Sequence, residues 1–163
     1  MMQNTPRLTL RKRPAHMPLV EMGTRSLIVY LTVCTRNRKP VLARCDAQAC
    51  LLNAWREAAN WLVGRYVLMP DHLHLFCAPA TFPPEPIRAW CKYWKTLASK
   101  TWPQQNERPL WQTDGWDRQL RQGESYREKW EYVRNNPVRK QLAALADDWP
   151  YQGEIHELAW HDS

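Results

Sequence analysis

The sequence has no apolar stretch long enough to cross a membrane. Its mean hydropathy is −0.65, whereas a transmembrane helix needs about 20 consecutive, predominantly apolar residues. Residues 1–20 carry Arg7, Arg11, Lys12 and Arg13 but not the apolar core of a secretory signal. We therefore expect a cytoplasmic protein without a membrane span.

Paired cysteines are missing as well. The five cysteines are an odd number, and no two of them stand in a C-x-x-C spacing. Disulfide frameworks and zinc knuckles are built on such pairs, so reduced thiols are the simpler interpretation. The chain also lacks internal repeats and low-complexity segments. With 163 residues, 44% of them apolar, it is long enough for one domain with a substantial core.

What the sequence has in excess is positive charge and large aromatic rings. Its formal net charge is +7, which favours a polyanionic partner, with nucleic acid first and a membrane surface second. The ten tryptophans and six tyrosines offer stacking surfaces for unpaired bases, although most of the rings should lie in the core. A mildly basic surface without a specific partner remains the alternative.

Hydrophobic periodicity divides the chain into an arm and one domain. Residues 1–24 mix prolines with basic residues and predict an extended N-terminal arm, whereas residues 25–163 predict a single domain with a C-terminal tail. In the domain, β-branched and aromatic runs predict strands, and apolar residues at helical spacing predict helices. The predicted strands cover 26–35, 65–69, 72–77 and a short part of 110–121, and the predicted helices cover 43–63 (ending at Gly64), 87–101 and 126–135.

This order of elements predicts an α+β fold. It matches a ferredoxin-like antiparallel sheet with helices on one face, plus an additional C-terminal helix. The link Pro70-Asp71 is too short for a crossover, so the second and third strands should form a hairpin. We expect the helices to cover one face of the sheet and to leave the other open.

The stretch MPDHLHLF, residues 69–76, places two histidines in a predicted strand. Successive side chains in a strand alternate between faces, so His72 and His74 share one face while Leu73 and Leu75 point into the core. Neighbouring neutral imidazoles can bind one divalent metal ion. Two half-exposed polar residues on a strand surface are the plainer alternative.

A second group of candidate residues stands at the end of the last predicted helix. Tyr132 and Asn136 are four residues apart, so on a helix they would lie on the same face. Opposite a metal ion, the amide could complete the coordination while the phenol attacks. Pro137 predicts a break or kink at Asn136, so Asn136 could instead cap a new helical piece, and both interpretations stay open.

Several segments resemble one family in order and spacing. The segment PDHLHL, residues 70–75, resembles the histidine–hydrophobe–histidine motif of the HUH single-tyrosine transposases. The segment YVRNNPV, residues 132–138, is similar to the tyrosine motif of their branch called REP-associated tyrosine transposases. Further matches are WQ at 111–112, DRQLR at 117–121 and DWPY at 148–151. The resemblance spans about residues 26–152, and Asp71 departs from it, since asparagine is common there.

The resemblance implies a ferredoxin-like nuclease fold that cleaves single-stranded DNA at hairpins of repetitive extragenic palindromes (REP hairpins). It implies a divalent cation, Mg²⁺ or Mn²⁺, held by His72, His74 and Asn136, and it assigns the nucleophile that forms a 5′-phosphotyrosine to Tyr132. We further expect a monomer rather than a dimer, association with the nucleoid and no membrane partner.

The basic residues outside the arm are candidates for contacts with DNA phosphates. Each of them could equally be an ordinary surface charge. The candidates are Arg36, Arg38, Lys92, Lys95, Arg118 and Arg121. Three hypotheses about the function therefore stay open. The protein is a metal-dependent DNA strand transferase, a non-catalytic binder of hairpin DNA or RNA, or a structural domain whose histidines are plain strand surface.

Overall fold

A computed structural model describes residues 27–113, 116–120 and 124–159, with 116–119 described by their backbone. The predicted arm at 1–24 and the candidate Arg121 lie outside the described residues. No helix in these ranges is long and apolar enough to cross a membrane.

The described residues form a five-stranded antiparallel sheet with helices packed on it, which confirms the predicted α+β class. The spatial order of the strands is β4-β1-β3-β2-β5. The strands are β1 (Val29–Cys34), β2 (Trp61–Leu68), β3 (His72–Pro79), β4 (Trp116–Gln119) and β5 (Gln152–Glu154). The helices are α1 (Cys45–Glu57), α2 (Ile87–Thr101), α3 (Tyr126–Arg134) and the single turn α4 (Asn136–Arg139).

The first predicted helix is wrong at its C-terminal end. We expected helix through residue 63 with a cap at Gly64, but α1 ends at Glu57 and β2 begins at Trp61. The segment 61–68 pairs with β3 along its length, from Trp61 opposite Pro79 to Leu68 opposite Leu73. This pairing satisfies backbone groups that a longer helix would otherwise satisfy, and tertiary contacts of this kind override local helical spacing.

The predicted hairpin between the second and third strands is present. The β2 and β3 strands are antiparallel, and Met69 N–H donates to the carbonyl of His72 across the turn at 2.8 Å. On the other side of β3, strand β1 places Cys34 opposite His72, Thr32 opposite His74 and Tyr30 opposite Phe76. The histidine strand is therefore held in the middle of the sheet.

The two faces of the sheet are covered by different elements. The face with Leu73 and Leu75 packs against α1 and α2, in a core that includes Trp90 and Trp94. The opposite face is not left open as we expected, because residues of α3 and the C-terminal tail pack against Phe76 there. They are Tyr126, Trp130, Val133, Trp149 and Leu158. The additional C-terminal helix is thus brought to the face that carries the histidines.

Candidate histidine and tyrosine site

His72 is the first residue of β3 and lies beside a carboxylate. Its Nδ1 is 2.7 Å from Oδ1 of Asp71, whose Oδ2 accepts a hydrogen bond of 2.9 Å from Nε of Arg38. A carboxylate only accepts hydrogen bonds, so Nδ1 carries the proton and Nε2 keeps a free lone pair. Burial pushes the pKa of Asp71 upward, but the hydrogen bond with His72 and the charge of Arg38 outweigh it, and the pKa lies below its ordinary value.

His74 is buried two residues further along β3. Its Nδ1 lies 2.7 Å from the hydroxyl of Tyr30 and 2.9 Å from Oγ1 of Thr32. Burial, with smaller contributions from the charges of His72 and Arg139, lowers the pKa of His74 to about 3. The ring is therefore neutral at neutral pH and keeps one nitrogen unprotonated. If Nδ1–H donates to one of the hydroxyls, Nε2 is the nitrogen available to a ligand.

The two imidazoles could supply two ligands to one divalent cation, but not a complete set of protein ligands. Their ring centroids are 4.8 Å apart and the rings are nearly perpendicular, at 81°. Neutral imidazole is a ligand for divalent transition metals such as Mn²⁺. The described residues contain no group of three or more His, Cys, Asp or Glu side chains suited to a metal ion. A further protein ligand would have to be of another type, and the amide oxygen of Asn136 is one.

Tyr132 stands on the exposed side of α3. Ser125 begins this helix, since its Oγ accepts a hydrogen bond from the backbone N–H of Glu128 at 3.2 Å, as N-terminal caps do. The buried positions of the helix, Trp130 and Val133 among them, face the core. Tyr132 is left 66% exposed, so a large substrate can reach its ring.

The chain breaks after α3 where Pro137 predicts it. The α3 helix ends at Arg134, Asn135 lies between the helices, and Asn136 is the first residue of α4, followed by Pro137. The position before α4 thus belongs to Asn135, so Asn136 is not the helix cap of our alternative interpretation. Instead, Oδ1 of Asn136 accepts a hydrogen bond of 2.5 Å from Arg139.

Packing brings α3 to the histidine face, since Tyr30 lies against the apolar cluster that contains Trp130 and Val133. The charges of Tyr132 and Arg139 both influence the pKa of Tyr30, which burial chiefly raises, and Tyr30 in turn contacts His74. The charge of Arg139 also lowers the pKa of His74 directly. The structure therefore brings the sheet residues and the residues at the end of α3 to one region.

Comparisons with known proteins agree with this fold. No family model matches the chain. A REP-associated tyrosine transposase of Escherichia coli (strain K12) is 22% identical over 133 residues, which cover 80% of this chain and 78% of the relative. A solved structure of a REP-associated tyrosine transposase bound to a REP hairpin superposes with a TM-score of 0.66 and 18% identity, over 83% of this chain and 81% of that one.

The chain resembles the REP-associated tyrosine transposases. A second solved structure, of a Deinococcus radiodurans R1 protein described as a candidate transposase, has a TM-score of 0.51 and 19% identity over 78% of this chain and 99% of that one. Together these matches show that the fold is the one found in a REP-associated tyrosine transposase.

On this fold, the cations that we expected at phosphates lie in different places. Arg36 is exposed and lines an open cavity of about 370 Å³ with Trp111 and Gln112. Arg38 is paired with Asp71 beside His72. Lys95 Nζ donates to the carbonyl of Gln112 at 3.4 Å.

The remaining candidate cations are further from the histidines or are not described. Lys92 is exposed on α2, the helix that covers the opposite face of the sheet. Arg118 belongs to β4, of which only the backbone is described, and Arg121 lies outside the described residues. The structure therefore groups Arg36, Arg38 and Lys95 around the end of β1, whereas Lys92 is exposed one turn earlier on α2.

Three residues around the site did not emerge from the sequence. Tyr30 and Thr32 contact His74, and Arg139 contacts both Tyr132 and Asn136. A signal for the first two was present, because Tyr30 and Thr32 alternate with apolar residues in the first predicted strand. For Arg139 the only signal was its position, three residues after Asn136, which is a neighbouring position on a helix.

Proposed function

We propose that the chain is an endonuclease and strand transferase that cleaves single-stranded DNA at REP-type hairpins through a 5′-phosphotyrosine on Tyr132. The main support for this proposal is a set of contacts at the end of α3. The exposed Tyr132 and the side chain of Asn136 are joined by Arg139, whose charge acts on the buried His74. A phenol, an amide and two imidazoles in one region are the components of a phosphodiester-cleaving site.

The chemical step is a transesterification that conserves the phosphodiester energy. The phenol proton passes to water, the Tyr132 oxygen forms a bond to phosphorus, and the P–O3′ bond breaks. The 3′ oxygen takes up a proton and leaves as a free hydroxyl. The reverse attack by a 3′ hydroxyl restores the phosphodiester and releases Tyr132, so strands can be rejoined without ATP.

We propose that a divalent cation, Mg²⁺ or Mn²⁺, is held by His72, His74 and Asn136, whose nitrogen and oxygen donors are of types that bind such an ion. When bound, such a cation polarises the phosphoryl group and stabilises its developing negative charge. The hydrogen bond with Asp71 turns Nε2 of His72 toward a ligand, and burial keeps His74 neutral, so His74 need not lose a proton before it can act as a ligand.

The proposed substrate follows from charge and from the relative that was solved with a REP hairpin. The net charge of +7 favours DNA, and Arg38 pairs with Asp71 beside His72 while Arg36 is exposed two residues before it. Lys95, Arg118 and Arg121 remain proposed phosphate contacts, whereas Lys92 is exposed on α2, the helix that covers the opposite face of the sheet, and is not proposed as one. We propose a monomer that works at the nucleoid.

The test is formation of a covalent protein–DNA adduct. A REP-type hairpin with a single-stranded flank is labelled at its 3′ end, because the tyrosine stays bonded to the 5′ phosphate of that fragment. With Mn²⁺ present, we expect the wild type and the control Tyr93→Phe, which alters another exposed tyrosine, to give a labelled band that survives denaturation. Tyr132→Phe should give none while it still binds the hairpin.

The same experiment separates the alternatives. Hairpin binding by the wild type without any adduct, unchanged in the combined variant His72→Ala with Tyr132→Phe, would assign the chain to the non-catalytic hairpin binders of DNA or RNA. An adduct that persists in Tyr132→Phe would show that another residue is the nucleophile.

A further inference from the structure

Arg139 is the residue that links the end of α3 to α4. Its Nη1 donates to the backbone carbonyl of Tyr132 at 2.8 Å, and its Nη2 donates to Oδ1 of Asn136 at 2.5 Å. The guanidinium carbon also lies 4.1 Å from the centroid of the Tyr132 ring, within the range of a cation–π contact. One side chain thus makes three contacts with the two residues that we propose as nucleophile and metal ligand.

An ordinary structural role explains these contacts poorly. Among the ion pairs of the described residues, Arg139 has no carboxylate partner, whereas the neighbouring Arg134 pairs with Glu131 and Asp147. Arg139 is exposed and contributes nothing to either apolar core. Among the described residues, the hydrogen-bond partners of its side chain are Tyr132 and Asn136 themselves.

The contacts with Arg139 matter because the exposed Tyr132 side chain has few other contacts that restrict its rotamers. An exposed tyrosine samples several rotamers, and an attack on phosphorus requires a near-attack geometry. The planar fork of a guanidinium can satisfy a backbone carbonyl and an amide oxygen at once while it stacks on a ring, which the compact ammonium of a lysine cannot do.

We propose that Arg139 is a positioning residue that fixes the Tyr132 ring and the Asn136 amide relative to each other on the histidine face. The inference deepens the proposed strand transfer and rests on it. Arg139 itself exchanges no proton and forms no bond to the DNA in this role; it acts by holding the two side chains that do the chemistry.

The test compares Arg139→Ala and Arg139→Lys with Lys140→Ala, a control that removes a neighbouring exposed charge. The measurements are the single-turnover rate of adduct formation at saturating hairpin, the Kd for the hairpin, and the melting temperature. We expect Arg139→Ala to slow adduct formation by about 100-fold, since small misplacements of reacting groups have effects of that order. Its Kd should change only by about as much as that of Lys140→Ala.

Arg139→Lys discriminates between positioning and charge. It keeps the positive charge but loses the fork, so we expect a rate well below that of the wild type and above that of Arg139→Ala, with free guanidinium ion partly restoring the alanine variant. Equal rates for the wild type and Arg139→Ala, or full activity of Arg139→Lys, would overturn the inference while the wild-type adduct still supports the proposed function. If the wild type forms no adduct, both are overturned.

Discussion

The carboxylate of Asp71 decides which nitrogen of His72 faces a ligand. The hydrogen bond from Nδ1 to Asp71 fixes the tautomer, and the ion pair with Arg38 fixes the carboxylate. Outer-shell partners of this kind orient metal-ligating histidines and raise their basicity. At this position the chain departs from the asparagine common in the family that it resembles, and the departure preserves a hydrogen-bond acceptor for His72.

We predict that Asp71→Ala weakens Mn²⁺ binding by about 10-fold or more, the size of effect seen when outer-shell partners are removed. Asp71→Asn should lie between the wild type and Asp71→Ala, because an amide oxygen still accepts the hydrogen bond but carries no charge. Titration calorimetry with Mn²⁺ and no DNA measures both variants. Asp148→Asn, at an exposed acidic residue of the tail, is the matched control, and an unchanged affinity of Asp71→Ala would rule out the proposed outer-shell role.

Among the secondary-structure elements, β2 shows how a local pattern can mislead. The register between β2 and β3 shifts between Val63 and Tyr66, which indicates a bulge at Gly64 and Arg65. A glycine inside a strand often marks such a bulge or a close approach of another group. Here both reasons hold, since a Cβ built on Gly64 would lie 2.6 Å from Cδ1 of Leu158 and 3.0 Å from the hydroxyl of Tyr126.

We predict that Gly64→Ala destabilises the fold by about 1–3 kcal/mol, the usual cost of overpacking. The added methyl group must displace Leu158 or Tyr126, and these residues attach the tail and α3 to the sheet. Urea unfolding measures the change. The double variant Gly64→Ala with Leu158→Ala should lose less than the sum of the two single changes, because the clash disappears. Strict additivity would show that Leu158 does not pack on Gly64.

How far the sequence predicts the structure depends on how local the determining contacts are. The bounds of α2 were predicted as observed, and those of α3 to within one residue, because each has an apolar stripe at helical spacing and α3 has a cap at Ser125. The end of α1 and the edge strand β5 were not predicted, because both depend on pairing with distant segments. β5 pairs with β2, for example through Gln152 opposite Val67.

In the candidate site, too, the features set by local contacts were predictable from the sequence and those set by distant contacts were not. Alternation along one strand is a local property, and the structure places both histidines of β3 on the predicted face. The approach of α3 to that face is set by contacts such as Phe76 with Trp130, at a ring-centroid distance of 6.4 Å, and no pattern in either segment alone reveals them. The contacts of Arg139 with Tyr132 and Asn136 depend on the break at Pro137, whose local geometry the sequence does not specify.

At the scale of the whole molecule, the sheet divides the surface charges between two sides. Helices α1 and α2 cover the face opposite the histidines, and Lys92 belongs to that side. Arg36 lies in the loop after β1, and its neighbour Arg38 contacts Asp71 next to His72. A net charge of +7 attracts DNA to the molecule as a whole, but contacts at short range select the side on which a strand lies.

We therefore predict different salt dependences for hairpin binding by Arg36→Ala and Lys92→Ala. Each phosphate contact contributes a slope of about −0.7 to a plot of log K against log salt for single strands and about −0.9 for a duplex, because condensed counterions are released. Arg36→Ala should reduce the slope by about that amount, since the Arg36 side chain is exposed two residues before Arg38, which contacts Asp71 beside His72. Lys92→Ala removes the same charge from α2 and should leave the slope unchanged. Fluorescence anisotropy of a labelled hairpin over a series of potassium acetate concentrations measures both slopes, and an equal reduction in the two variants would place α2 in the DNA interface as well.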